Sequence, residues 1–306
     1  MKRFVFVLVP LLGVALDVSQ VNRVSRLPMN KIDAISFLDE NHGFVQQQSQ
    51  PHPETFETLD GGKTWKRTED GVPGFRRGRS FATRLKGWSI DEDLWNHGVI
   101  SVTEDGGHTW YPSLDKHDKN EFVFGGIQAV SEREVWATGS RGTYHTTDGG
   151  KSWENKGPAG TGLQFLDAEH GWIEGDKLWH TDNGGKTWES IGGDRKSCFG
   201  GYGFFFLDDR HGWAVSGKTE GNMEGGAETG FITVTKDGGK TCEELPHVPG
   251  QFFWSVYFLN ERAGWAGGIG LLLKTEDGGH TWVDVSDGKR IELPDGDKHL
   301  VSGRTD

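Results

Sequence analysis

A chain of 306 residues with a net charge of −12 is unsuited to general nucleic-acid binding or to a basic membrane-surface role. Thirteen Trp and 18 Phe exclude a disordered chain, and 34% hydrophobic residues with 47 Gly suit many short, half-buried strands and tight turns better than a helical bundle. Collagen, coiled-coil, disulfide-miniprotein and multi-span membrane classes are excluded by the same composition.

The first element is a leader. Lys2 and Arg3 precede an apolar run from Phe4 to Leu16, with the small residues Gly13 and Ala15 placed as a cleavage pair. The run is too short to span a bilayer and has the length of a signal-peptide core. Residues 1–18 are therefore expected to be a signal peptide and residues 24–306 a single domain; a buried first strand is the alternative reading of the run. No Cys follows the run, so nothing marks a lipoprotein. Export to a periplasm, a thylakoid lumen or the extracellular space is expected.

One phrase then recurs six times. It reads Thr58-Leu-Asp60-Gly-Gly-Lys-Thr-Trp65, with further copies centred on Asp105 and Trp110, Asp148 and Trp153, Asn183 and Trp188, Asp237 and Cys242, and Asp277 and Trp282. The copies recur about every 43 residues, a period that with strand signals predicts propeller blades of four strands each. Asp-Gly-Gly between two short strands is a hairpin signal, because glycine takes positive φ without a Cβ penalty. The carboxylate is expected to accept backbone N–H bonds of its own turn. The Trp is expected to fill the gap between neighbouring blades.

A second phrase precedes the first: Phe37 to Phe44, Phe165 to Trp172, Phe206 to Trp213 and Phe258 to Trp265, in the form Phe-Leu-Asp-x-x-His-Gly-Trp. Blades two and three keep only its end, at Trp88 and Trp136. It reads as inner strand, turn, second strand. Ten of the 13 Trp fall in these two repeated positions, so packing explains the Trp richness. A Gly- and Glu-rich surplus around residues 218–230 is expected to be a flexible excursion of blade five, with a smaller one at residues 91–98. The predicted fold is all-β: six clear antiparallel blades and a short seventh closed by both termini, from residues 24–28 with 290–293 and 299–302. A six-bladed ring with loose ends is the alternative.

The first phrase is the Asp-box, or BNR, repeat. Together with the second phrase, over residues 24–289, it resembles the propeller family of photosystem II stability and assembly factors and their bacterial relatives. Sialidases, sortilin-type receptors and xyloglucanases share the Asp box alone. The resemblance implies an exported seven-bladed propeller that acts without catalysis by holding a membrane-protein intermediate during assembly. It also implies an arginine patch that contacts the client, for which Arg76, Arg77, Arg79 and Arg84 are the candidates, set against a solvated loop. Arginine suits carboxylates and phosphates through its planar fork.

The competing reading is a carbohydrate-active propeller. A sialidase needs three arginines, a Tyr–Glu pair and an acid Asp, and other glycosidases need two facing carboxylates. The four Tyr form no recognisable site, and Asp91, Glu92 and Asp93 read better as a charged loop tip. His42, His170 and His211 share one turn position in separate repeats and read as turn residues rather than metal ligands. No cofactor, metal or nucleic acid is expected, and the partner is expected to be a protein bound by a monomer. Cys198 and Cys242 are the only cysteines; whether they pair is left open by sequence. The overall reading is an exported, non-enzymatic interaction scaffold.

Overall fold

The repeated phrases mark hairpins. The computed structural model describes residues 23–24, 31–37, 39–47, 54–68, 78–83, 85–92, 98–116, 124–191, 199, 201–220, 227–245, 248–249, 252–269, 271–285 and 300–302. Among them there are 27 strands and no helix, so none crosses a membrane as a long apolar helix. They form six antiparallel sheets, each built on four consecutive strands. Blade one, for example, runs through Ile32–Phe37, Gly43–Gln47, Glu54–Thr58 and Trp65–Thr68. The first strands of blades one, three, four, five and six face a central cavity, and the fourth strand of each blade lies at the opposite edge of its sheet.

The second phrase joins innermost to second strand. Asp167 Oδ1 accepts the N–H groups of Glu169 and His170 at 2.7 and 2.8 Å, and Asp208 does the same for Arg210 and His211. The glycine that follows is required by packing. Gly171 pairs with Phe165, and a Cβ there would fall inside the Phe165 ring. The Trp after it is free to turn outward and lie flat on the next blade. Trp172 stacks on Phe206 with ring centroids 4.1 Å apart, Trp213 on Phe258 at 3.6 Å and Trp265 on Phe37 at 3.5 Å.

Side chains just before these Phe residues clamp adjacent blades. Gln128 Nε2 donates to Phe165 O at 2.8 Å while its Oε1 accepts Phe165 N–H at 2.7 Å. Gln164 repeats the clamp on Phe206, both bonds 2.7 Å. Ser80 Oγ accepts from Ala129 N–H at 2.9 Å, and Tyr257 donates to Phe37 O at 2.8 Å. The last bond joins blade six to blade one, and Ser255 adds a bond to Ile32 O at 3.1 Å.

That closure corrects the expected seventh blade. Blade six already lies against blade one through the buried cluster of Trp265, Leu272, Ile35, Phe37 and Trp65, so the termini have no slot between them. Arg23–Val24 instead adds to the rim of blade one, and Leu300–Ser302 to the rim of blade five. Residues 290–293 lie outside the described residues. The blade-five excursion also differs from expectation: strands Gly212–Glu220 and Ala227–Thr235 stay paired as far as Glu220 with Ala227. Ladder bonds continue there because Val248–Pro249 supports the extension by pairing Thr229 and Gly230. Asp91 and Glu92 likewise continue a strand, paired with Val99 and Gly98, instead of forming a loop tip. Asp93 lies outside the described residues.

Candidate functional site

The repeated carboxylates are consumed by their own turns. Asp60 Oδ1 accepts from Thr64 N–H at 2.8 Å and from the Thr58 hydroxyl at 2.9 Å, while Oδ2 accepts the Thr64 hydroxyl at 2.6 Å. Asp105, Asp148, Asp237 and Asp277 repeat this pattern. Both glycines of each copy sit at positive φ, 73° and 95° at Gly61 and Gly62, which a side chain resists. At position 183 the amide of Asn replaces the carboxylate: Oδ1 accepts Thr187 N–H at 3.0 Å and Nδ2 donates to Thr187 Oγ1 at 2.7 Å. The turn thus needs two polar atoms, and the charge is dispensable.

The charge still affects acid stability. The Thr109 hydroxyl and the donors around it hold Asp105 well below the ordinary carboxylate range, and Ser152 does so for Asp148. Burial works to raise Asp60, Asp237 and Asp277, but hydroxyl and backbone donors outweigh it and lower all three. A depressed folded-state pKa gives stability that is complete above the unfolded value of 3.8 and lost as pH falls through the lowered one. Urea midpoints should therefore fall below about pH 4, and Asp148→Asn should flatten that acid limb while leaving the neutral midpoint nearly unchanged. An unaltered acid limb in this variant would contradict the assignment.

The histidines are likewise held within their own blades. His170 Nδ1 and His211 Nδ1 each lie 2.9 Å from the carboxylate three residues earlier, and His42 Nε2 lies 2.9 Å from Glu57. The Asp167 hydrogen bond raises the His170 pKa, so this pair is strongest below neutrality and weakens as pH rises through the raised value. No group of three or more His, Cys, Asp or Glu able to hold a metal occurs among the described residues.

Two places remain open for chemistry. The first is the central cavity, about 130 Å³, lined by the backbones of Gly125, Gly126, Gly162 and Gly203 and by the rings of Tyr202, Phe204, Phe205, Trp254 and Tyr257. Glu174 is the one carboxylate among the described lining residues; it is buried, and its Oε1 accepts Gly201 N–H at 3.2 Å. Tyr202 lies against Trp254 with centroids 4.3 Å apart, and the Lys31 ammonium sits 4.1 Å from the Trp254 centroid. Repeat reasoning missed this site. Its one signal was that Trp254 belongs to neither repeated Trp position.

The second is the face of blade two toward blade one. Of the four candidate arginines, Arg79 is described, whereas Arg76, Arg77 and Arg84 lie outside the described residues. Arg79 opens the innermost strand of blade two and is exposed. Its Nε donates to Ser89 Oγ at 3.2 Å and its guanidinium lies 5.3 Å from the Trp110 centroid. Serine and indole together hold the guanidinium in place before anything binds it.

No family model matches the chain, and no curated protein matches it in sequence. Among solved structures it is similar to YCF48 bound to a D1 peptide, at 22% identity over 90% of this chain and 89% of that one, with a TM-score of 0.53. YCF48 from Cyanidioschyzon merolae gives 18% identity over 84% and 98% of the two chains, TM-score 0.53. The shared feature is the propeller. The GH74 enzyme of Niastella koreensis is similar at 13% identity over 85% of this chain and 47% of its own length, TM-score 0.51. The same architecture thus occurs in a protein solved with a peptide and in an enzyme, and residues of the site have to decide between the two.

Proposed function

We propose that this chain is an exported, non-enzymatic propeller that holds a protein client, in the manner of the assembly-factor family its repeats resemble. In a photosynthetic host the client would be a photosystem II membrane-protein intermediate. The observation that carries the reading is Arg79, exposed yet fixed by Ser89 and Trp110 and flanked in sequence by Arg76, Arg77 and Arg84. A fixed guanidinium loses little freedom when it meets a carboxylate.

Replacing all four arginines with Ala should reduce client capture from native membranes and flatten its salt dependence, because exposed charges are screened beyond about 8 Å at physiological ionic strength. Folding should be unchanged, as Arg79 is exposed and substitutions at exposed positions are usually near neutral, and a thermal melt of the variant checks it. Lys at the four sites should restore part of the affinity. Normal capture by the Ala variant, together with loss of turnover of a sialoside or xyloglucan, would replace this reading with the carbohydrate-active one.

The cysteines fit the proposed export. Cys242, which takes the Trp position of the fifth copy, is buried and disulfide-bonded, and the chain has one other cysteine, Cys198, outside the described residues. Structural disulfides belong to oxidising compartments. The mature protein is expected to begin between Leu16 and Gln20; N-terminal sequencing of native protein that returned Met1 would refute cleavage.

A further inference from the structure

The rings around the central cavity are arranged unlike those that seal the blades. Between blades, Trp172 on Phe206, Trp213 on Phe258 and Trp265 on Phe37 are parallel to within 7° and cover each other's faces. At the cavity, Tyr202 meets Trp254 at 48° and Phe205 meets Tyr257 at 53°. Rings tilted in this way leave part of their faces uncovered: Tyr202 is 37% exposed, and Phe204 and Trp254 are half-buried. The wall therefore presents π faces, which attract cations through the ring quadrupole. The chain's own Lys31 shows that preference, its ammonium lying 4.1 Å from the Trp254 centroid.

A carboxylate borders the same space. Glu174 is 8% exposed and lines the cavity, with Oε1 accepting the Gly201 N–H at 3.2 Å. Its Oε2 and Phe204 Cε1 lie 3.2 and 3.3 Å from the point that a Cβ at Gly162 would take. A carboxylate oxygen and an aromatic ring thus converge beside one glycine of the lining. Three further polar side chains of the wall are committed to the fold: both ends of the Gln164 amide on Phe206, Ser255 on Ile32 O and the Tyr257 hydroxyl on Phe37 O. The cavity measures about 130 Å³. Roughly 150 Å³ accepts a benzene ring, so there is room for a compact group of about five or six heavy atoms.

We propose that the central cavity binds the trimethylammonium group of a small quaternary ammonium compound. Such a group carries its charge without an N–H donor, so it needs no hydrogen-bond partner. Ring faces and a carboxylate hold it, and the wall supplies both. Its positive sign also suits a chain of net charge −12. Arg79 does not line the cavity, so this binding and the scaffold reading stand or fall separately.

Calorimetric titration of the purified protein compares choline with 3,3-dimethylbutan-1-ol, which has the same shape with carbon in place of the charged nitrogen. Choline should bind at least about tenfold more tightly. Equal binding would reveal an apolar pocket blind to charge, and no choline binding at millimolar concentration would mean no site; either overturns the proposal. Tyr202→Phe should keep the affinity and Tyr202→Leu should lower it at least about fivefold, because only the first retains a ring. Glu174→Gln, which keeps an acceptor for the Gly201 N–H, should weaken choline and leave the neutral alcohol unchanged. An unaffected Tyr202→Leu, or undiminished discrimination in Glu174→Gln, overturns the proposal. Lys31→Gln removes a like charge and should not weaken choline binding; weakening would contradict a cationic guest and overturn it too. Thermal melts of each variant come first, and the Tyr202 pair carries the test if Glu174→Gln unfolds. Phosphatidylcholine vesicles form a second arm. Co-sedimentation with them, reversed by choline, assigns the group to a lipid headgroup, whereas choline binding without vesicle binding assigns it to a free solute.

Discussion

Trp265→Ala is expected to destabilise the protein by about 3–5 kcal/mol, the range for deleting a large buried aromatic side chain. Trp265 is fully buried and lies 3.5 Å from the Phe37 ring at an interplanar angle of 7°. Its loss opens a cavity inside the cluster that joins blade six to blade one, and the rigid backbones on both sides cannot collapse into it. Trp110→Ala is the internal control. That indole is half-exposed and bonds to its own turn, Nε1 to Gly107 O at 3.0 Å, so its removal should cost markedly less. Reversible urea melts decide the matter: equal losses for the two variants would mean that Trp265 does not close the ring.

Gln164→Leu should have the next largest effect. Leu is close in size to Gln, so the change removes bonds rather than volume. The amide accepts and donates on the backbone of one residue of the next blade, Phe206, with both bonds at 2.7 Å in a buried setting. Leu leaves that N–H and that C=O without partners, and each orphaned buried group costs about 1–3 kcal/mol. The accompanying signature is local: hydrogen exchange at the Phe206 amide should accelerate well beyond that of its strand neighbours. Unchanged exchange there would contradict the clamp.

The blades were legible in the sequence because the Asp-Gly-Gly turn is closed by atoms at most four residues apart, as in Gly62 N–H to Thr58 Oγ1. Local chemistry repeats in sequence when it repeats in structure. The clamps between blades were not legible. Their position is filled by Ser80, Gln128, Gln164, Phe205 and Tyr257 in successive blades, a series with no common residue type: four of them bond to a backbone group of the next blade, and Phe205 packs its ring on Tyr257. The strand character of both termini was readable, but their partners were not. Val24 pairs with Trp65 and Val301 with Cys242, a choice made by which rims stay free once the ring has closed. Of the candidate site, Arg79 was read directly from charge. The Ser89 and Trp110 contacts that hold it were not, because they come from residues ten and thirty-one positions further along the chain.

The closure of blade six onto blade one also bears on how the chain is made. Blade one, residues 32–68, is tied through its buried cluster to Trp265 and Leu272, more than 200 residues downstream, and no such cluster ties it to blade two among the described residues. Contacts this distant in sequence form late, since the intervening chain must first be ordered. During synthesis from the N-terminus, the first blade to emerge therefore waits for the last one to cover Ile35, Phe37 and Trp65. Through that interval its apolar face is exposed to whatever in the cell binds unfinished chains, and a truncation that removes blade six would leave blade one in that state permanently.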